Sequence, residues 1–136
     1  FAMLAATLHA PAAPGTAPQA TADGHGWSEW SPQAAQRALS QGHPVFIDFT
    51  AAWCVTCQAN KRLVLYSDRV AGAFGARSVT LLRADWTNRN EAIARELARF
   101  HRNGVPLYVL YDAAGRPRVL PEILTESTVL QALDGI

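Results

Sequence analysis

The sequence has only two cysteines among its 136 residues, and they lie three positions apart. The disulfide framework of a small secreted domain uses more cysteines at longer spacings, so that class is excluded. A bond between residues three apart closes almost no chain and adds little loop-closure stability, which points the pair to redox or metal chemistry instead. Charge of one sign is also lacking: 12 Lys and Arg stand against 11 Asp and Glu, a net of +1. The arginines are scattered, so there is no electrostatic case for nucleic acid or an anionic membrane surface. No run reaches the roughly 18 apolar residues of a membrane span. The stretch Phe1-Ala2-Met3-Leu4-Ala5-Ala6-Thr7-Leu8 is apolar but short, and without an initiating Met or a basic flank it is not a complete signal peptide. It is either the tail of an upstream membrane helix or an unremarkable end.

What is present is enough for one domain with an ordinary core, since 49% of the residues are apolar. Residues 10–26 are mainly Ala, Pro, Gly, Thr and Gln, a linker composition that cannot bury a core. The division expected is therefore residues 1–26 as apolar start and linker, and residues 27–136 as the folded domain. Trp27 and Trp30 are placed to dock the linker end or a short first strand. Ser31-Pro32 starts a helix, with Ser as cap and Pro at the first helical position, and Gln41-Gly42 stops it. Val45-Phe46-Ile47-Asp48-Phe49 reads as a central strand buried on both faces. A helix follows from about Cys54 to Leu65, and a further helical turn runs from Ser67 through Ala73 to end near Gly75. Residues 79–84 form a strand, and residues 88–102 a helix carrying Ile93, Leu97 and Phe100 at helical spacing. Residues 107–111 and 116–120 make a hairpin around the turn at 112–115. A last helix over residues 125–133 buries Val129, Leu130 and Leu133. The order (β)αβαβαββα is α/β, a mixed central sheet with helices on both faces, and is that of the thioredoxin fold.

Three features carry chemistry. Cys54 falls at the first turn of a helix leaving a central strand, where unpaired backbone N–H groups favour a thiolate, the nucleophile in disulfide exchange. Cys57, one turn on, faces the same side and is the resolving thiol. Trp53 gives an apolar shoulder beside the first sulfur. Inert buried cysteines and a metal site are the alternatives, but zinc wants four ligands, there is no second Cys pair, and His9, His25, His43 and His101 are dispersed. Asp48 is a carboxylate inside an apolar strand, which is costly without a task or a partner. It can take a proton from Cys57 during exchange, or it can be a structural carboxylate paired with Arg83 on the adjacent strand. Pro106 opens an apolar strand, where it removes a ladder donor. A cis Val105–Pro106 bond would turn the chain and offer Val105 backbone groups to a bound peptide.

The segments Phe49-Thr50-Ala51-Ala52-Trp53-Cys54-Val55-Thr56-Cys57, Ala84-Asp85-Trp86-Thr87-Asn88 and Gly104-Val105-Pro106-Leu107-Tyr108 resemble the C-terminal periplasmic domain of DsbD-type thiol:disulfide interchange proteins. The resemblance implies a protein-disulfide reductase with Cys54 as nucleophile, Cys57 as resolving thiol, Asp48 as buried acid and Pro106 as cis proline. It implies partners as well: a membrane-embedded electron-donor domain and an N-terminal periplasmic acceptor domain of the same protein, at the periplasmic face of the bacterial inner membrane. No cofactor is expected beyond the redox-active Cys54–Cys57 disulfide, no metal and no nucleic acid, and the isolated domain is expected to be monomeric. Some members of that family carry an acid seven positions after the first Cys, where this chain has Lys61. Two other readings remain: a free periplasmic thioredoxin-like reductase serving cytochrome c biogenesis, and a copper-binding module using the two thiols.

Overall fold

The structure, a computed structural model, describes residues 25–136; the apolar start, most of the linker and His9 lie outside the described residues. The elements run β1 (Ser28–Glu29), α1 (Pro32–Ser40), β2 (Val45–Thr50), α2 (Val55–Asn60), a π-helical turn (Lys61–Leu65), α3 (Asp68–Ala76), β3 (Thr80–Asp85), α4 (Glu91–Arg99), β4 (Leu107–Tyr111), β5 (Pro117–Leu120) and α5 (Glu126–Asp134). The sheet order is β1-β3-β2-β4-β5. The first two pairings, β1 with β3 and β3 with β2, are parallel, and β4 runs antiparallel to both β2 and β5. The expected order and mixed sheet are found.

Successive residues of β2 point to opposite faces. Phe46 joins Val64, Leu65, Val70, Phe74, Val129 and Leu133 beneath the π turn, α3 and α5. Val45, Ile47 and Phe49 join Ala38, Ile93 and Leu97 beneath α1 and α4. All six residues of β2 are buried, so the strand is the floor of the molecule. Trp27 and Trp30 flank the two-residue β1 and pack on opposite faces, Trp27 edge-on to Phe46 and Phe74.

The helix starts follow from local chemistry. Side chains of Ser31, Ser67, Asn90 and Thr125 each accept the N–H three residues on, a cap worth about 1 kcal/mol. Gly42, with φ of 85°, turns the chain out of α1.

Two boundaries differ from expectation. The expected helix over 54–65 is α2 followed by the π turn. A continuous α-helix would turn Val64 and Leu65 about 100° apart, and the wider turn is where both enter the core. The helix expected over 88–102 is confined to Glu91–Arg99, because Asn90 caps it and Phe100 and His101 leave helical geometry, His101 with φ of 61°.

Candidate active site

The buried strand β2 ends at Thr50, and the chain turns over Ala51 and Ala52 into the cysteines. Two bonds close the turn: Cys54 N–H donates to Ala51 O at 3.1 Å, and Gln58 Nε2 donates to the same carbonyl at 2.9 Å. Cys54 is the N-cap of α2, and its Sγ accepts the Cys57 N–H at 3.1 Å. The sulfur expected to attack thus sits where the helix supplies an unpaired donor. Cys54 and Cys57 are joined in a disulfide with Cα atoms 5.2 Å apart. Cys54 is 8% exposed and Cys57 1%, so the outer sulfur is Cys54. Val105 packs against the pair and Ala51, and the Val105–Pro106 peptide is cis.

Beneath this lies a row of polar side chains on one face of the sheet. Asp48 is fully buried, opposite Arg83 on β3 and Tyr108 on β4. Arg83 Nε donates to Asp48 Oδ2 at 3.3 Å, and its guanidinium lies 4.7 Å from the Trp27 ring centroid. The paired carboxylate weighed from the sequence is therefore present; the pairing leaves proton transfer open, since a carboxylate oxygen has more than one lone pair. Burial, with the Asp48 charge adding to it, pushes the Tyr108 phenol far up, so it stays neutral. Tyr108 OH accepts from Asn60 Nδ2 at 2.8 Å; the same amide donates to Glu122 O at 2.8 Å and accepts from Leu124 N–H at 3.2 Å. Lys61, one turn after Cys57, sends its Nζ back to Thr50 Oγ1 at 3.0 Å. Thr50 is two residues from Asp48 and on the same face, so the departure from the family pattern places a cation near the buried acid.

A second group of residues frames the outer side. Trp53 is 49% exposed, and its Nε1–H donates to Thr87 O at 3.1 Å. Thr87 Oγ1 accepts from Ala52 N–H at 2.8 Å and donates to Asp85 Oδ1, which also accepts the Thr87 N–H. Trp86 lies 6.1 Å from Trp53 between centroids, and the Arg89 guanidinium is 4.9 Å from one indole and 4.8 Å from the other.

The sequence-predicted residues Cys54, Cys57, Trp53, Asp48, Val105 and Pro106 are thus brought to one end of the sheet. Sequence reasoning assigned no role to Asn60, Thr87, Tyr108 or Arg89. The Asp85-x-Thr87 spacing is a turn signal that could have marked the loop; the contacts of Asn60 and Arg89 have no local signature. Among the described residues no cluster of three or more His, Cys, Asp and Glu is placed to hold a metal ion, and no helix is long and apolar enough to cross a membrane. A groove of about 540 Å³ between α1 and α4 is lined by Trp30, Leu39, Ile47 and Tyr111. It lies toward the Val45 end of β2, away from the cysteines. The chemistry sits on an open rim instead, as dithiol–disulfide exchange with another protein requires.

The comparisons with known proteins agree with this arrangement. DsbD of Ralstonia nicotianae (strain ATCC BAA-1114 / GMI1000), a thiol:disulfide interchange protein, is 37% identical over 83 residues, 61% of this chain and 13% of that protein. The DsbD of Yersinia pestis (strain Pestoides F) is 33% identical over 78 residues, 57% of this chain and again 13% of the relative. The match therefore spans a small part of those proteins. Among solved structures, the oxidised C-terminal domain of Neisseria meningitidis DsbD superposes with a TM-score of 0.65 at 18% identity, covering 79% of this chain and 97% of that one. A thioredoxin from Thermus thermophilus superposes at 0.63 with 22% identity, covering 80% and 84%. Both show the fold. The thioredoxin-like sequence pattern matches residues 26–113, from before β1 to past β4 and across every site residue above, so the chain belongs to the thioredoxin-like family.

Proposed function

We propose that this domain is a thiol:disulfide oxidoreductase working in the reducing direction, a relay between a membrane-embedded electron donor and a periplasmic acceptor domain of the same polypeptide. The observation that carries it is the Cys54–Cys57 pair at the start of α2, the outer sulfur capping the helix and the inner one buried. In the reduced state the Cys54 thiolate attacks one sulfur of the acceptor disulfide and displaces the other as a thiolate. The Cys57 thiolate then attacks Cys54 Sγ, which releases the acceptor as a dithiol and leaves the domain oxidised. Asp48 accepts the Cys57 proton in the second step. The donor restores the dithiol by the same exchange in reverse. Trp53 and the Val105–Pro106 segment form two sides of the docking rim, and Val55, at the first position of α2, is 82% exposed. The DsbD-type resemblance of the segments around Cys54, Trp86 and Pro106 supports the periplasmic inner-membrane setting and the two partner domains.

The test is capture. A Cys57→Ala variant cannot resolve the first intermediate and is expected to accumulate mixed disulfides with the acceptor, which mass spectrometry identifies. Cys54→Ala is expected to accumulate none. Equal trapping by both variants would refute the assignment of the two thiols, and a trapped set without periplasmic proteins would refute the relay.

A further inference from the structure

Arg89 stands apart from most of the arginines. Arg69, Arg77, Arg83, Arg95, Arg99, Arg102 and Arg116 each hold a carboxylate within 4.0 Å. Arg89 has none among the described residues; its recorded side-chain contacts are the Trp53 and Trp86 rings. It is exposed, yet it is not left to sample solvent freely. Two indoles within 5 Å of the guanidinium carbon supply cation–π attraction and confine the side chain. The two ring centroids lie 6.1 Å apart, on the same side of the guanidinium carbon, so the rings leave its far side open, and no acid among the described residues meets its N–H donors, which lie in the guanidinium plane. That plane is the one that matches a carboxylate through two parallel hydrogen bonds.

The backbone makes the same point. Arg89 has φ of 56°, in the left-handed region that costs a residue with a β-carbon about 1 kcal/mol or more. Asn88 and Asn90 flank it, and asparagine tolerates that conformation better than arginine. The position is nonetheless an arginine, on the turn closed by Arg89 N–H to Trp86 O at 2.9 Å. Of the two acids that bracket this loop, Glu91 directs Oε1 to Arg95, and Asp85 directs Oδ1 to the N–H and O–H of Thr87. That bonding holds the loop against Ala52 and Trp53, and so keeps Arg89 at a fixed offset from Cys54, the residue after Trp53.

We propose that Arg89 is a carboxylate-docking residue on the exchange rim, selecting partners that carry an Asp or Glu beside their reactive disulfide. The inference rests on the exchange activity proposed above and names the chemistry of the partner for that site. Pre-organisation by Trp53 and Trp86 lowers the entropy lost when the pair forms, so a surface position supports a useful contact. The contact forms as the Cys54 sulfur meets the partner and therefore acts on the encounter and the mixed disulfide.

The experiment uses the full chain, reduced and freed of reductant, against three synthetic peptides that differ only in the residues flanking one disulfide: Glu, Gln or Lys. Second-order rate constants for peptide reduction are measured for wild type, Arg89→Gln and Arg89→Glu. Other charges on the rim contribute to each rate, so the readout is the ratio between peptides and its change on substitution. Wild type is expected to favour the Glu peptide over the Gln peptide by roughly tenfold, the scale of one charge-assisted hydrogen-bonded pair. In Arg89→Gln the ratio is expected to fall toward one, and in Arg89→Glu the preference is expected to pass to the Lys peptide. A Glu-to-Gln ratio that is the same in wild type and Arg89→Gln overturns the proposal while leaving exchange activity standing. A wild type that reduces none of the peptides overturns the exchange reading, and this inference with it.

Discussion

At the scale of single residues, the decisive feature is a charge placed where charge is expensive. Asp48 is fully buried and Arg83 is 8% exposed, so both lost most of their hydration on folding. Their attraction roughly offsets that cost when both are present, but removing one partner of such a pair costs about 3–5 kcal/mol. This separates the two roles open to Asp48. If it is structural only, Asp48→Asn and Arg83→Gln should destabilise the domain to a similar degree, and neither should alter exchange beyond that. If it takes the Cys57 proton, Asp48→Asn should slow the resolving step about 10²-fold or more while Arg83→Gln retains it, and the cysteine titration should move to lower pH in Asp48→Asn because a nearby negative charge is gone. Denaturant titration and stopped-flow exchange on both variants check this. The sequence made Asp48 and Arg83 legible, because a charge interrupting an apolar strand stands out against the apolar run around it. It left Arg89 unmarked, because the rings that hold it belong to the Trp53 turn and to a loop more than thirty residues later.

At the scale of elements, the redox helix is short and is held from below. Six residues of α2 give way to a π turn, and Asn60 sits at the joint with its amide bonded to β4 through Tyr108 and to the segment before α5 through Glu122 and Leu124. The position of the cysteines over the sheet therefore depends on contacts made after Cys57. Apolar periodicity predicted one helix through Leu65, since an extra residue in a turn changes the pattern by less than the pattern's own scatter. Asn60→Ala strands a carbonyl and an N–H away from water and is expected to cost about 3 kcal/mol in urea denaturation, the sum of two or three unmet groups. Tyr108→Phe removes one bond and is expected to cost about 1 kcal/mol at neutral pH. Their pH dependences should also differ. Burial raises the Tyr108 phenol above its value in the unfolded chain, so the neutral form is favoured by folding. Stability is then undiminished below about pH 10, where the unfolded Tyr titrates, and falls as pH climbs from there toward the folded value. Tyr108→Phe should lose less stability than wild type over that alkaline range, and an identical alkaline decline in both would remove Tyr108 as its source.

At the scale of the whole molecule, element order was legible because each strand and helix carries its own period and stop signal, and the pairing β1-β3-β2-β4-β5 follows once β2 is placed at the centre. What the order leaves undetermined is the direction of electron flow, which depends on how the folded chain distributes charge around two sulfurs. The spacer Val55-Thr56 carries no charge, whereas a cation between the cysteines would stabilise the reduced thiolate and make the disulfide an oxidant. The Asp48 and Arg83 charges largely cancel at the cysteines because they are paired at 3.3 Å. Lys61 at Thr50 is a cation on the sulfur-bearing side of the sheet, half-buried and in part screened by water. The helix start favours the thiolate in oxidants and reductants alike, so it does not discriminate between them. The sum is a near-neutral site with one modest push toward the thiolate, and the midpoint expected from equilibration against glutathione and dithiothreitol series lies nearer the roughly −270 mV of thioredoxin than the roughly −120 mV of a strong oxidase. Lys61→Gln removes that push and should move the midpoint to more negative values. A wild-type midpoint close to the oxidase value would mean that the domain donates disulfides, and the reducing direction proposed above would have to be reversed.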